Sequence, residues 1–324
     1  MRKWKEELLY DPIPALLDTE NEAIQYFVDK DLLDKKVDSI ESLWKISSLQ
    51  KVLNKQQEDG AWKYPSKKNN FHTQQVYNSL ATYTQLRDLI EKYGLTRSHQ
   101  SIEKAAEFIL SFQTKEGDIR GIYGNQYSPN YTAGMIELLI KTGYETDLRI
   151  KKALDWLLSV RQDDGGWAIP NRTHSANWRD VINIKEVLEP IRDKPSSYMV
   201  TGVVLRAFAA HSVYRKIKEI NKAGKFLISG FFKKDKYPDR KDKSYWMKFT
   251  FPFWFTDFLS ALDSLYFIGF DITEQPILNV IEWFKNEQQE DGLWNLKLLR
   301  PGGEKDIKHW ISYVVCRTFK RYFN

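Results

Sequence analysis

Residues 157–167 read LLSVRQDDGGW, and the same phrase returns at 53–62 as LNKQQEDGAW and at 284–294 as FKNEQQEDGLW. In each copy an amphipathic segment runs into Gln, an acidic residue and Gly turn the chain, and Trp follows. Gly supplies the left-handed conformation that stops a helix, and Asp favours the turn. A weaker copy, FILSFQTKEGD at 108–118, lacks the Trp, and around 226–232 the turn gives way to a lysine-rich loop. Self-similarity at this scale marks stacked helical units.

Between the copies lie segments of a second kind: YTAGMIELLIK (131–141), YMVTGVVLRAFAA (198–210), WFTDFLSALDSLYFIG (254–269) and WISYVVCRTF (310–319). They are apolar nearly all round, the mark of helices buried on every side, whereas the first kind carries one stripe, such as Ile102, Ala105, Ala106, Ile109 and Phe112. An inner ring of wholly apolar helices packed inside an outer ring of one-faced helices satisfies both patterns. The expected fold is therefore all-α, a closed (α/α)5-6 toroid. Residues 40–324 supply five helix pairs, and the helices of residues 1–39 pack on the ring or complete it with a sixth.

Gln, acidic residue, Gly and Trp closing an outer helix resemble the QW repeat of squalene–hopene cyclases and other terpenoid cyclases, and the same toroid occurs in protein prenyltransferase β subunits. The resemblance covers most of residues 40–324. It implies that Gln56, Gln57, Trp62, Gln162, Trp167, Gln288, Gln289 and Trp294 are braces between outer helices, and that the pair Asp163–Asp164 belongs to a turn. It also implies an isoprenoid-acting protein, either cyclase-like or prenyltransferase-like. The catalytic signatures of that superfamily depart here. The D-x-D-D acid motif is absent, and the nearest acid in a comparable place is Asp257. As a lone Asp in the first turn of a helix it is expected to feel the positive end of the dipole, which lowers its pKa and opposes strong acid chemistry. Cys316 and His309 lack the Asp–Cys spacing of a prenyltransferase zinc site, and a Cys in an apolar helix reads as core. No metal and no cofactor are implied.

Inner helices that all run one way bring their N-termini to one rim, where unpaired N–H groups favour an anion. Counting along the chain places His72, Tyr127, Tyr131, Tyr198, Trp254, His309 and Trp310 there as substrate-binding candidates, with Asp257 as the candidate catalytic group. The Gly- and Tyr-rich GIYGNQYSPNYTAG (121–134) is the most distinctive entry to an inner helix. The loop 169–194, with Arg172, His174 and Asp180, is longer than a toroid connection needs, as binding loops often are. Glu137, Arg206, Asp263 and Arg317 fall about seven or eight residues into four successive inner helices. At equal height with alternating sign, they are expected to pair at the closed end of the barrel.

Composition narrows the partners. The net charge of +6 is interleaved with acids, as in KKDKYPDRKDK (233–243), which reads as a solvated loop and not a nucleic-acid stripe. One cysteine excludes an intramolecular disulfide framework. The N-terminus has no apolar signal-peptide core, and the greasy stretch 249–270 carries Asp257, Asp263 and Pro252, so a buried helix and a cytoplasmic protein are expected. The expected ligand is an isoprenoid or lipid-like small molecule, a diphosphate among the candidates. Peripheral membrane contact and a partner subunit stay open. A non-catalytic polyprenyl binder is the alternative to an enzyme. A carbohydrate-acting barrel is a third reading, with Asp257 and Asp180 as its one nominated carboxyl pair.

Overall fold

The computed structural model describes residues 3–65, 73–182, 184–300 and 305–324, and every regular element among them is helical. Outer and inner helices alternate along the chain. The outer set is α1 (Ile13–Leu17), α3 (Ser47–Leu53), α5 (Gln100–Leu110), α7 (Leu148–Ser159), α9 (Lys218–Ser229) and α11 (Gln275–Asn286). The inner set is α2 (Glu22–Phe27, continued by a π-helical turn Val28–Leu32), α4 (Gln74–Tyr93), α6 (Pro129–Leu139), α8 (Tyr198–Ala210), α10 (Phe258–Ile268) and α12 (Ile307–Phe323). Contacts run α4 to α6 to α8 to α10 to α12, and α2 packs between α12 and α4, so the inner helices form a ring. Gly94 and Gly269 end α4 and α10 in left-handed backbone, and the next residues, Leu95 and Phe270, fold into the core. The greasy stretch differs from its expectation. Residues 249–257 are not helical, with a cis peptide before Pro252, and α10 begins only at Phe258.

The repeated phrase becomes a repeated set of bonds. The indole Nε1 of Trp62, Trp167 and Trp294 donates to the carbonyl ten residues back, at Val52, Leu157 and Phe284, 2.6–2.9 Å away. The backbone N–H groups of the same Trp residues reach hydroxyls on the inner helices, Thr82, Thr201 and Ser312. Ile119, where the weak copy lacks its Trp, still donates to Thr132. Each Trp thus ties its own outer helix to the inner helix that follows.

Gln makes the lateral tie. Gln56 Nε2 donates to Ser101 O and Gln113 Nε2 to Arg149 O, both at 2.8 Å, at the start of the next outer helix. Gly60 must approach that helix so closely that a Cβ would lie 2.2 Å from Lys104 O. Gln162 departs from the pattern and donates to Ile191 and Lys194 O at the end of the long loop, while Lys222 reaches back to Asp163 O. Asp164 accepts from Ser196 and Gly166, as a turn residue should.

Gln288 carries the same tie across 278 residues of chain. It accepts from the Tyr10 N–H and donates to Tyr10 O at 2.9 Å, just before α1. Gln288→Ala therefore costs about 1–2 kcal/mol, the worth of one or two part-buried hydrogen bonds, and speeds amide exchange at Leu9 and Tyr10. Unchanged exchange there would detach the N-terminal segment from the ring.

Candidate functional site

The N-terminal halves of α6 and α8 share one end of the barrel, and a cavity of about 430 Å³ opens there. Asn130 and Tyr131 of α6 line it, with Met199, Val200 and Val203 of α8, Phe255 ahead of α10, and Tyr123 from the Gly-rich segment. Ile169 and Arg172 of the long loop form another wall, and Tyr237 to Arg240 with Tyr245 close the mouth. The spacing Val200, Val203 presents one stripe of α8 inward. The Tyr123 and Tyr131 rings lie 5.9 Å apart, and burial pushes both phenols up, so both stay neutral. Burial also pushes Tyr237 up to about 12, and its hydroxyl donates to Pro195 O at 2.6 Å. Aromatic faces of this kind stabilise cationic charge.

Charge at the mouth comes from three side chains. Arg172 and Asp239 form a two-pronged ion pair. The Arg240 guanidinium lies 3.4 Å from the Phe255 ring centroid, and burial holds it below its ordinary pKa. Arg240 also has a left-handed backbone (φ 54°), a conformation a long side chain adopts only when its surroundings impose it.

At the other end, the C-terminal halves of the same helices surround a smaller cavity of about 190 Å³, lined by Glu137, Lys141, Arg206 and Asp263 among others. The expected pairing is present. Arg206 Nε donates to Glu137 at 2.8 Å between α8 and α6, and Arg317 donates to Asp263 at 3.1 Å between α12 and α10. Lys141 adds a second cation to Glu137, and Arg321 a second to Asp263. Burial raises both carboxyls, but Arg206 and Lys141 around Glu137, and Arg321 and Arg317 around Asp263, outweigh it and hold both below the usual range.

The rim candidates separate once side-chain directions are fixed. Tyr131 lines the cavity, and Asn130 and Ser197, next in sequence to Tyr131 and Tyr198, join it with Arg172 of the long loop. Tyr127 instead points under α7, edge-on to Trp156. Tyr198 turns outward against Phe226 and Gly230 of the outer ring. Trp254 packs on Tyr83, with the buried Arg87 guanidinium 4.5 Å from its ring. Trp310 stacks on Phe251, 5.4 Å away, inside the core. His309 is half-buried on α12 outside the cavity wall. His72 lies outside the described residues. A rim position on a helix does not decide whether a ring faces the axis or the neighbouring helix, and for these residues the neighbour wins.

Asp257 requires a correction. It caps α10, accepting from Ser260 N at 2.8 Å while its own N–H donates to Ser260 Oγ. Burial, not the helix terminus, decides its ionisation. Desolvation pushes it up to about 7, against the lowering by its bonds to Ser260 and by Arg206. It follows Phe255 by two residues but does not itself line the cavity. Asp180 is exposed in the short helix Trp178–Val181, so the two carboxyls do not face each other across this cavity as a glycosidase pair would. Among the described residues no three His, Cys, Asp or Glu side chains group as a metal site. Cys316 is core, its thiol pushed up by burial. No helix among the described residues is long and apolar enough to cross a membrane.

Sequence reading missed Tyr237, Asp239, Arg240 and Tyr245, because they sit in a segment whose lysines mark it as solvated. The signal was there in the two Tyr residues and the Pro embedded among charges.

Comparison with known proteins gives a family match. A family model described as the squalene–hopene cyclase C-terminal domain matches residues 72–186 and, in a second overlapping match, 150–298. Among solved structures, the ligand-free type II terpene cyclase MstE from Scytonema is 12% identical over 87% of this chain and 97% of that chain, with a TM-score of 0.35. An MstE variant in complex with geranylgeranyl dihydroxybenzoate, described as its substrate, gives 11% identity, 87% and 97% coverage and a TM-score of 0.36. A second MstE variant without ligand gives 11%, 97% and 99% coverage and 0.39.

Proposed function

The chain belongs to the squalene–hopene cyclase C-terminal domain family, and from that membership we propose that it takes an isoprenoid chain into the mouth cavity and acts on it as a cyclase-like enzyme. The observation that carries the reading is the cavity itself, lined by an apolar stripe on α8 together with the rings of Tyr123, Tyr131, Tyr245 and Phe255. An isoprenoid chain has apolar surface to bury there, and a carbocation formed on it meets aromatic faces rather than water. Residues 40–324 are assigned to the repeat domain and residues 1–39 to the segment that completes the ring.

Asp257 is the candidate acid. Burial keeps its carboxyl protonated to about pH 7, so a proton is available near neutrality, two residues along the chain from the lining residue Phe255. One observation favours the second reading, a polyprenyl binder without turnover: Asp257 is engaged as a helix cap.

The experiment is native mass spectrometry with prenyl ligands of increasing length, followed by product analysis. Val203→Phe, which fills the cavity from α8, weakens retention at least about tenfold, since a ligand denied its pocket loses the burial that holds it. Conversion that Asp257→Asn abolishes without loss of binding establishes the enzyme. Retention without conversion establishes the binder, and no retention of any isoprenoid refutes both.

A further inference from the structure

The mouth cavity has a neighbour. A second space of about 210 Å³ adjoins it, and the two share Tyr123, Ile169, Arg172 and Asp239 as lining. The ion pair of Arg172 and Asp239 therefore stands in the partition between them. It also joins two loops far apart in sequence: Arg172 lies in the short helix Pro170–Thr173 of the long loop, and Asp239 in the lysine-rich segment before Tyr245.

The pair is made in the form a ligand would use. Arg172 Nη2 lies 2.6 Å from Asp239 Oδ1, and Nε binds Oδ2, so both prongs of the guanidinium are engaged by one carboxylate. A fork of this shape recognises carboxylates and phosphates alike. The Asp239 side chain is half exposed (51%), and an ion pair open to water on one side contributes little to stability, so its exchange for another anion is cheap. Arg240, the next residue, rests on the Phe255 ring inside the same cavity and has no carboxylate at ion-pair distance among the described residues. Two guanidinium groups thus line the cavity, and the one carboxylate in its lining, Asp239, is engaged by Arg172. The arrangement is short of an anion.

We propose that Arg172, aided by Arg240, receives the anionic head group of the ligand, carboxylate or phosphate, and that this head group displaces Asp239 and so opens the partition between the two cavities. Asp239 acts as an internal stand-in for that head group and keeps the loops together until it arrives. This rests on the isoprenoid reading for the ligand's tail, but the exchange of anions on Arg172 is separately testable.

The test uses three ligands with one chain length: geranylgeranyl diphosphate, geranylgeranoic acid and geranylgeraniol. They are titrated calorimetrically into the wild type, Asp239→Asn and Arg172→Met at fixed salt. In the wild type the two anions bind at least about tenfold tighter than the alcohol, the scale of one two-pronged charge-assisted contact. Asp239→Asn tightens both anions severalfold and leaves the alcohol unchanged, while Arg172→Met removes the preference. The tighter of the two anions identifies the head group as phosphate or carboxylate. Equal affinity for all three ligands in the wild type, or weaker anion binding in Asp239→Asn, overturns the proposal. Hydrogen exchange with inorganic pyrophosphate alone separates it from the isoprenoid reading. Faster exchange at 169–182 and 233–243, absent in Arg172→Met, sustains the anion latch even if no isoprenoid binds. Unchanged exchange in both segments with a saturating anion overturns it.

Discussion

Glu137→Leu destabilises the protein by about 3–5 kcal/mol, the cost of leaving buried charge without its partner. The carboxylate pairs with Arg206 at 2.8 Å and Lys141 at 2.7 Å, and Arg206 is almost fully buried, so its removal strands the guanidinium. Arg206→Met costs less, because Lys141 still neutralises Glu137. The double variant Glu137→Leu with Arg206→Met recovers much of the loss, since an apolar pair of similar volume replaces a buried ion pair at little cost. Urea denaturation of the four proteins measures this, and equal losses for the two single variants would contradict it. The pH dependence follows in sign. Glu137 and Asp263 are held below their ordinary pKa in the fold. Their contribution is present above the unfolded carboxyl pKa and is lost as pH falls through the folded value, so acid weakens the wild type more than the double variant.

Asp257→Asn moves stability the other way. The folded carboxyl is raised from 3.8 to about 7 by burial. Its contribution is therefore complete below the unfolded pKa and is lost as pH rises through the folded one. At about 1.4 kcal/mol for each tenfold change in proton affinity, the fold carries a penalty of up to about 4 kcal/mol at pH 8. Asn removes that penalty and still accepts the Ser260 N–H as an N-cap. The variant is expected to be more stable than the wild type by about 2–4 kcal/mol at pH 8 and no more stable at pH 4. A difference that is the same at both pH values would show that Asp257 is ionised throughout.

The architecture was legible because its signals are local and repeated. Gln and Trp at fixed spacing make the same bonds from copy to copy, and Gln56, Gln113 and Gln288 share the lateral tie. The alternation of one-faced and all-round apolar helices fixes inner and outer places, and counting along inner helices brought Glu137, Arg206, Asp263 and Arg317 to one level, where the fold pairs them. The site was harder to read for two physical reasons. Tyr127, Tyr198 and Trp310 occupy the expected rim, yet whether a ring faces the axis or a neighbouring helix depends on packing partners such as Trp156, Gly230 and Phe251, which no spacing reveals. The mouth is also walled by irregular loops. Arg172 and Asp239 lie 67 residues apart and meet only through tertiary folding. The ionisation of Asp257 is not legible in the sequence, because the helix terminus is visible there and the depth of burial is not.

The direct test of the proposed isoprenoid site is a crystal structure of the protein soaked with geranylgeranyl diphosphate or the matching carboxylic acid. The chain is predicted to lie along Val200 and Val203, between Tyr131 and Phe255, with its head at Arg172 and Arg240. A chain bound instead at the Glu137–Arg206 end, or a mouth cavity empty at saturating ligand, would contradict the site assigned here.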